Sequence, residues 1–289
     1  MRTVVVTGVG GPAGRAVASF FRTSSCTVIG TDITAVNTSL DRFFVIPPGD
    51  APEFSQAILR ILTREKPFLF VPTVTEELLQ AARIKKVVHE LGISMYIPDF
   101  EAVRIANDKY LTANTLQIFG IDVPETLAED EVENALQAGE ALGYPFIIKP
   151  RIGRGGRGVV VCMTHADAAR EQRRGVVYQE FLGGEEYDVN LFVYPEGRPV
   201  VTRVLLKTSL KGGLVGNATS VEIANQPDIA AIAMRAAEAL NLEGPIDMDI
   251  RRGGDGIAKI LEINARVGAN VLKAEGILET MMMQSIKGG

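Results

Sequence analysis

The chain has 289 residues, of which 46% are apolar and 22% charged, with a formal net charge of −5. That length suits about two domains, the apolar content is too high for a disordered chain, and the acidic balance argues against a general nucleic-acid binder. The two cysteines, Cys26 and Cys162, are too few for a disulfide framework and point to a reducing cytoplasm, and with His89 and His165 as the only histidines a zinc site of the usual spacing is not expected. No apolar run reaches the ~18 residues of a membrane span, and the chain opens on a strand-like segment, not on the plan of a secretory leader.

In chain order, RTVVVTG (2–8) is a continuous apolar run, as in a strand buried on both faces. A glycine-rich turn leads to a helix over 13–21, and CTVIGTD gives a second strand that ends on Asp32. FFVIP, FLFVP and MYIP repeat the apolar run, each closing on proline, with amphipathic helices expected over 52–64 and 75–91. Strand and helix in alternation imply a parallel sheet covered on both faces.

After Pro98 the pattern changes. Helices are expected over 107–119 and 129–142. The strand YPFIIKP, the loop RIGRGGRG and the strand VVVCM then form an antiparallel hairpin. VVYQEFL, YDVNLFVY, PVVTRVLL and TSVEIA continue an antiparallel set, and 229–240 has helical spacing. IDMDIRR and AKILEINAR make a hairpin through the turn GGDG, and a helix over 270–284 ends the chain.

Four clusters carry candidate chemistry. The first, TGVGGPAG (7–14), puts glycines between strand and helix, where N–H groups approach phosphate or where a helix packs closely on a sheet. With Asp32 it also fits a nicotinamide-binding turn. Reductases of that kind need a tyrosine followed four residues later by lysine, and none of Tyr96, Tyr110, Tyr144, Tyr178, Tyr187 or Tyr194 has one. The second sets Lys149 at the end of a buried strand before GRGGRG, whose glycines can wrap phosphate and whose Arg154 and Arg157 add positive charge. A Walker A loop is excluded, because no GK[ST] follows.

In the third cluster, YQEFLGGEEYD, a strand end runs into a linker able to offer backbone groups to a purine edge. In the fourth, LEINAR, the i, i+2 spacing puts Glu262 and Asn264 on one strand face with Arg266 beyond them, while Leu261 and Ile263 face the core. Asp249 stands on the neighbouring strand. Two carboxylates and an amide oxygen are a hard ligand set suited to Mg²⁺, and Arg266 can meet charge on a transferred phosphoryl group.

In this order and spacing, FIIKPRIGRGGRG, QEFLGGEE and LEINAR resemble the ATP-grasp superfamily, in particular its carbamoyl phosphate synthetase-like branch, over roughly residues 1–275. The resemblance implies an α/β and α+β architecture: a Rossmann-like parallel-sheet domain over 1–98, then an ATP-grasp domain over 99–289. The latter divides into a lid-containing part (99–182) and a metal-binding part (183–289). It implies that Lys109 and Lys149 contact nucleotide phosphates and that Gly153, Gly155, Gly156 and Gly158 form the lid loop. Glu180 with the Phe181–Leu182 backbone would read adenine, and Glu186 would hold ribose. Lys207 and Arg266 would act on the transferring group, and Asp249, Glu262 and Asn264 would bind Mg²⁺, or Mn²⁺ in its place. Relatives commonly carry proline at position 265 and glutamine at position 249, where this chain has Ala265 and Asp249. The glycine turn is recast as a holder of the acceptor.

The activity implied is an ATP-dependent carboxylate ligase with an acyl-phosphate intermediate. Its partners would be a small carboxylate and a nucleophile, with neither nucleic acid nor membrane, in a cytoplasmic protein that is a candidate homodimer. Three rivals stand beside it: phosphorylation of bicarbonate or carbamate, a nicotinamide-dependent oxidoreductase, and a nucleotide-binding module without turnover.

Overall fold

The computed structural model describes residues 2–153, 155–195 and 199–287, apart from the side chains of 199 and 200. Its first sheet is parallel. β1 (Thr3–Val6), β2 (Thr27–Asp32), β3 (Arg42–Val45) and β4 (Leu69–Val71) lie in the order β3-β2-β1-β4. Between them run α1 (Pro12–Thr23) and α2 (Phe54–Glu65), and α3 (Leu78–Glu90) follows β4. Val4, Val5 and Val6 of β1 are fully buried, as the unbroken apolar run requires.

The MYIP run is not a strand. Only Ser94 bridges to Leu69, exchanging bonds with Phe68 and Phe70. Met95 and Ile97 are core residues all the same, so burial and not sheet pairing wrote the apolar signal.

Several expected helices are shorter than their periodicity suggests, each for a local reason. The helix expected from 107 is preceded by an unforeseen one, α4 (Phe100–Asn107). Asp108 breaks the two with an extended backbone and caps α5 (Lys109–Ile118), accepting from the N–H groups of Tyr110 and Leu111. The segment 129–142 is a 3-10 turn and then α6 (Ala135–Leu142), capped by Asn134. The segments 75–91 and 270–284 likewise open as 3-10 turns, the latter passing Gly276 at φ 95° before α9 (Ile277–Lys287).

Two antiparallel sheets follow. β5 (Thr126–Ala128), β6 (Phe146–Pro150), β7 (Val160–Cys162) and β8 (Val176–Glu180) are ordered β5-β8-β6-β7, and a short α7 (His165–Ala168) joins α6 on one face. The larger sheet, β11-β10-β9-β12-β13, is built from β9 (Glu186–Val193), β10 (Pro199–Leu210), β11 (Ala218–Ile223), β12 (Gly244–Arg252) and β13 (Ala258–Asn264), with α8 (Pro227–Ala239) against it. Its odd-numbered β9 residues Tyr187, Val189, Leu191 and Val193 share one core with Phe54, Ile58 and Phe70 of the first sheet's layer. The smaller antiparallel sheet has its own cluster around Phe146, Ile148 and Tyr178. Cys26 and Cys162 are free and buried. Among the described residues no helix is long and apolar enough to cross a membrane.

A separate cluster under the smaller sheet implies separable opening. Phe146→Ala, which empties a fully buried site, is expected to cost about 3–5 kcal/mol. Hydrogen exchange should rise chiefly in residues 126–180 while β1 and β9 keep their protection; uniform loss of protection would refute it.

Candidate nucleotide and acceptor site

The cleft lies between the inner faces of the two antiparallel sheets. In β6 the alternation sends Phe146 and Ile148 into the core and leaves Ile147 and Lys149 lining the cleft. On the opposite wall β12 buries Ile246, Met248 and Ile250 in the core, so that Asp247 and Asp249 point the other way.

β13 does not keep strict alternation. Asp249 pairs with Glu262 but Ile250 pairs with Ile260, so Leu261 is the extra residue of a β-bulge. Ile263 is in the core as expected; Leu261 is not. It lines the cleft, and its carbonyl, released from the ladder, accepts from Lys149 Nζ at 3.1 Å. The bulge also restores the phase that places Glu262 and Asn264 beside Asp249 and Asp247.

Charge is concentrated here. Lys207 on β10 donates to Glu186 and to Asp249, 2.6 Å each. Lys109, the first residue of α5, pairs with Glu262 at 3.2 Å and donates to the Gly153 carbonyl at 3.1 Å. The start of α5 is itself pinned by Arg151, whose Nε contacts both oxygens of Asp108 at 2.8 and 2.7 Å.

Burial and the adjacent Lys109 charge pull Lys149 down to about 8. Burial opposes ionisation of Glu262, but the charges of Lys109 and Lys149 override it and hold the group at about 2. Burial with Glu262, Glu186 and Asp188 pushes Asp249 up to about 7 against the pull of Lys207. Burial also works against the Lys207 charge, and Asp249 and Glu186 more than reverse it, so Lys207 titrates above the ordinary lysine range. Asp247 is raised well above the carboxylate range by burial and by Asp188.

A cavity of about 750 Å³ runs from the lysines to the linker. Gly153, Gly156, Arg157, Glu180, Phe181, Leu182 and Glu186 all line it. Arg154 lies outside the described residues. Gly155, Gly156 and Gly158 have φ of 66–73°, a region that disfavours side chains. A Cβ on Gly156 would meet Gly216 Cα at 2.7 Å, so this loop rests on the β10–β11 loop.

Two proposed nucleotide contacts are already engaged. Both Glu180 oxygens take Lys259 Nζ, at 3.0 and 2.8 Å, and one also accepts from the Glu125 N–H. This leaves the backbone, not the Glu180 carboxylate, to face a base. Glu186 is held by Lys207 and, at 3.4 Å, by Arg251, which stacks over Phe181.

A second cavity, about 1040 Å³, adjoins the first and shares Asp249, Glu262 and Asn217 with it. Gly8, Gly11, Pro12, Ala13 and Gly14 form one wall, and Asp188, Lys207, Asp247, Asn264 and Arg266 line it too. The glycine turn therefore faces the carboxylates. A Cβ on Gly14 would strike the Gly8 carbonyl at 2.2 Å, so glycine there is required by close packing. Asp32 accepts from the Gly10 and Ile33 N–H groups and braces the turn.

Arg266 donates to Thr75 Oγ1 (3.1 Å), Asn264 Oδ1 (2.9 Å) and the Val267 carbonyl (2.9 Å). Beneath it Glu77 accepts from Thr7 Oγ1 and from the N–H groups of Thr73 and Val74.

Among the described residues, no three His, Cys, Asp or Glu side chains converge as a ready metal cage. The donor chemistry nevertheless fits Mg²⁺. Asp249 and Glu262 are register partners, and each now takes a lysine as the counter-charge a divalent ion would provide. Sequence reasoning missed Asp188, Asp247, Arg251 and Asn217. The i, i+2 spacings of YDVN and DMD carried a signal for the first two, whereas Asn217 comes from a loop with none.

The ATP-grasp domain profile matches residues 106–270, and the chain belongs to this family. It is similar to the carbamoyl phosphate synthase large chain of Xylella fastidiosa, 26% identical over 217 residues, which is 68% of this chain and 20% of that one. The same enzyme of Thermus thermophilus is 24% identical over 231 residues, 74% of this chain and 22% of that one. This chain thus spans about a fifth of the length of these relatives.

Among solved structures it resembles the L-amino acid ligase of Bacillus licheniformis (TM-score 0.74, 16% identity, 99% of this chain and 74% of that one). It also resembles the N5-carboxyaminoimidazole ribonucleotide synthetase of Thermotoga maritima (TM-score 0.69, 19% identity, 100% and 76%). These likenesses establish the ATP-grasp fold, with its preceding parallel sheet.

Lys207→Met would leave the half-buried Asp249 without its cation and the buried Glu186 with Arg251 alone, at 3.4 Å. It is expected to cost about 3–5 kcal/mol in urea denaturation without metal; a change within ~0.5 kcal/mol would refute the ion-pair account. Glu77 supplies a pH test. Burial, only partly offset by its hydrogen bonds, raises it from 4.5 to about 7. Between those values the folded chain holds a proton that the unfolded chain has lost, so this group's stabilisation is complete below 4.5 and fades as pH rises through 7. Glu77→Gln should flatten the stability profile over that window.

Proposed function

We propose that the chain is an ATP-dependent, ADP-forming carboxylate ligase. The observation that carries this reading is the shared wall: Asp249 and Glu262 face both the lysine-lined cavity and the cavity floored by the glycine turn. Nucleotide phosphates in the first would meet an acceptor in the second at these carboxylates.

In this reading Lys109 and Lys149 leave Glu262 and the Leu261 carbonyl for phosphate oxygens. N–H groups of Gly153, Gly155, Gly156 and Gly158 close over them. The backbone of Glu180 and Leu182, with Phe181 beside it, takes the purine, and Glu186 the ribose. Asp249, Glu262 and Asn264 would hold Mg²⁺ or Mn²⁺, which supplies charge neutralisation at the phosphates when bound.

A carboxylate oxygen of the substrate attacks the γ-phosphorus. The new O–P bond forms as the bond to the ADP oxygen breaks, with Arg266 and Lys207 meeting the charge that develops. The nucleophile then adds to the acyl carbon and expels inorganic phosphate. Positioning and charge account for the whole reaction, so no covalent enzyme intermediate is needed.

A second reading, phosphorylation of bicarbonate or carbamate, is favoured by the carbamoyl phosphate synthase relatives. A dinucleotide reading is disfavoured because Asp32 is spent on the Gly10 N–H. The two free buried thiols support a cytoplasmic setting, and the biotin carboxylase domain of Hydrogenobacter thermophilus, described as a dimer, motivates testing a homodimer by light scattering.

The test measures ADP release with pooled carboxylates, with and without pooled amines, and with bicarbonate alone. Mg–ATP should raise the melting temperature and NADH should not; at a hundredfold excess over Kd the stabilisation is ~2.7 kcal/mol. Glu262→Gln should keep nucleotide affinity within about tenfold and lower turnover by orders of magnitude. Parental turnover in that variant would remove the metal assignment.

A further inference from the structure

We infer that Arg251 is a positioning residue of the nucleotide site. Its guanidinium holds both the linker that would take the base and the loop on which the phosphate-covering glycines rest, so that binding at either end of the cavity steadies the other. The inference rests on the nucleotide reading of the first cavity.

Arg251 lies on β12, with its side chain 11% exposed along the cavity wall. On one side it meets the linker between β8 and β9. Its Nε donates to the Gly184 carbonyl at 3.0 Å, and the guanidinium lies 5.4 Å from the centroid of the Phe181 ring. Nη1 is 3.4 Å from Glu186 Oε2. On the other side Nη1 donates to the Leu214 carbonyl at 2.8 Å. Leu214 belongs to the loop 211–217 between β10 and β11, and this loop is the seat of the glycines. A Cβ on Gly156 would meet Gly216 Cα at 2.7 Å, and one on Gly155 would lie 3.5 Å from Asn217 Nδ2.

Little else fixes the loop 211–217. Among the described residues its other hydrogen bonds stay local: Lys211 N–H to the Asn217 carbonyl, Gly212 to Val215, Gly213 to Leu210 and Leu214 to Gly212. Gly212, Gly213 and Gly216 make its backbone costly to order, and the Leu214 side chain is half-exposed. The linker, by contrast, is held without Arg251. Gly184 N–H donates to the Arg252 carbonyl, Arg252 N–H to the Glu185 carbonyl, and Lys259 takes Glu180. Arg251 is therefore the tie between a secured segment and an unsecured one.

A planar guanidinium serves two carbonyls at once and still lays its face on an aromatic ring, which a lysine, as a point donor, does not. A purine beside Phe181 and a ribose at Glu186 would confine the guanidinium from the linker side. That confinement passes to Leu214 and so to the seat of the glycines. Phosphates that close the glycine loop act in the reverse direction, because coupling between two sites is reciprocal.

The experiment is amide hydrogen exchange on the full chain with Mg²⁺ and three probes: adenosine, inorganic tripolyphosphate and ATP. In the parent, adenosine should slow exchange in 155–158 and 211–217 by about fivefold or more, and tripolyphosphate should do the same in 180–186. Arg251→Lys keeps a positive charge beside Glu186. There both remote effects should vanish, while adenosine still protects 180–186 and tripolyphosphate still protects 155–158. The Kd for Mg–ATP should rise by about the same factor. Arg251→Met, which removes every donor, should behave alike. An arginine that only props the fold would lower protection equally with and without a probe, and direct contact of a probe with the far segment would survive in both variants.

Remote protection that persists in either variant overturns the inference. So does its absence with both probes in a parent whose two segments Mg–ATP protects; the nucleotide reading then stands. If Mg–ATP protects neither segment of the parent, the nucleotide reading itself falls, and the inference with it.

Discussion

Repulsion among buried carboxylates governs this molecule. Glu186, Asp188, Asp247, Asp249 and Glu262 project from three adjacent strands onto one inner sheet face, where little water reaches them. At the separations of cross-strand neighbours, like charges in a medium of reduced dielectric repel by several kcal/mol per pair. Cations must come to them, and they come from distant parts of the chain: Lys207 from β10, Lys109 from the start of α5, Lys149 from β6. The placement of the smaller sheet over the larger one follows in part from this need. Each lysine is also a group that a phosphate could recruit, so the charge pattern that stabilises the cleft is the one that nucleotide and metal would exchange with.

The two cavities are coupled by the same face. Their common residues are Asp249, Glu262 and Asn217, so a change of partner at either carboxylate is felt on both sides. Arg266 extends this coupling to the parallel sheet. It reaches Thr75, which lies two residues after Thr73 and two before the buried Glu77, whose hydrogen bonds hold the ends of β1 and β4 together. The glycine turn is thus set against the carboxylate wall by a chain of polar contacts as well as by the shared apolar core.

Glycine contributes in two unlike ways. At Gly14 a side chain is excluded because the helix start touches the Gly8 carbonyl, which fixes the turn. In the loop around Gly155, Gly156 and Gly158 the glycines meet the positive φ values and expose their backbone to the cleft on either side of Arg157, resting on the loop that carries Gly216 and Asn217. Rigidity in one and access in the other come from the same missing Cβ.

The sequence by itself determined the order of the elements and most of their types. The apolar run of β1 is buried throughout, although that of β3 leaves Val45 exposed, and an i, i+2 repeat such as that of Glu262 and Asn264 shares a strand face. It also contained the lysine, glycine-loop and acid–Asn–Arg order from which family membership was legible. Local chemistry at Asp108, Asn134 and Gly276 trimmed or split the helices, and those breaks could have been read as caps and stops. Tertiary structure alone decided the rest, because it depends on contacts between residues far apart in sequence. The bulge at Leu261 turns on register with β12; Met95 and Ile97 are apolar without being a strand; Glu180 pairs with Lys259, a residue 79 positions further along the chain. Which cation meets which carboxylate, Lys207 for Glu186 and Asp249, Lys109 for Glu262 and Arg266 for Asp247, follows from how the sheets stack, and spacing along one chain carries no record of a partner on another strand.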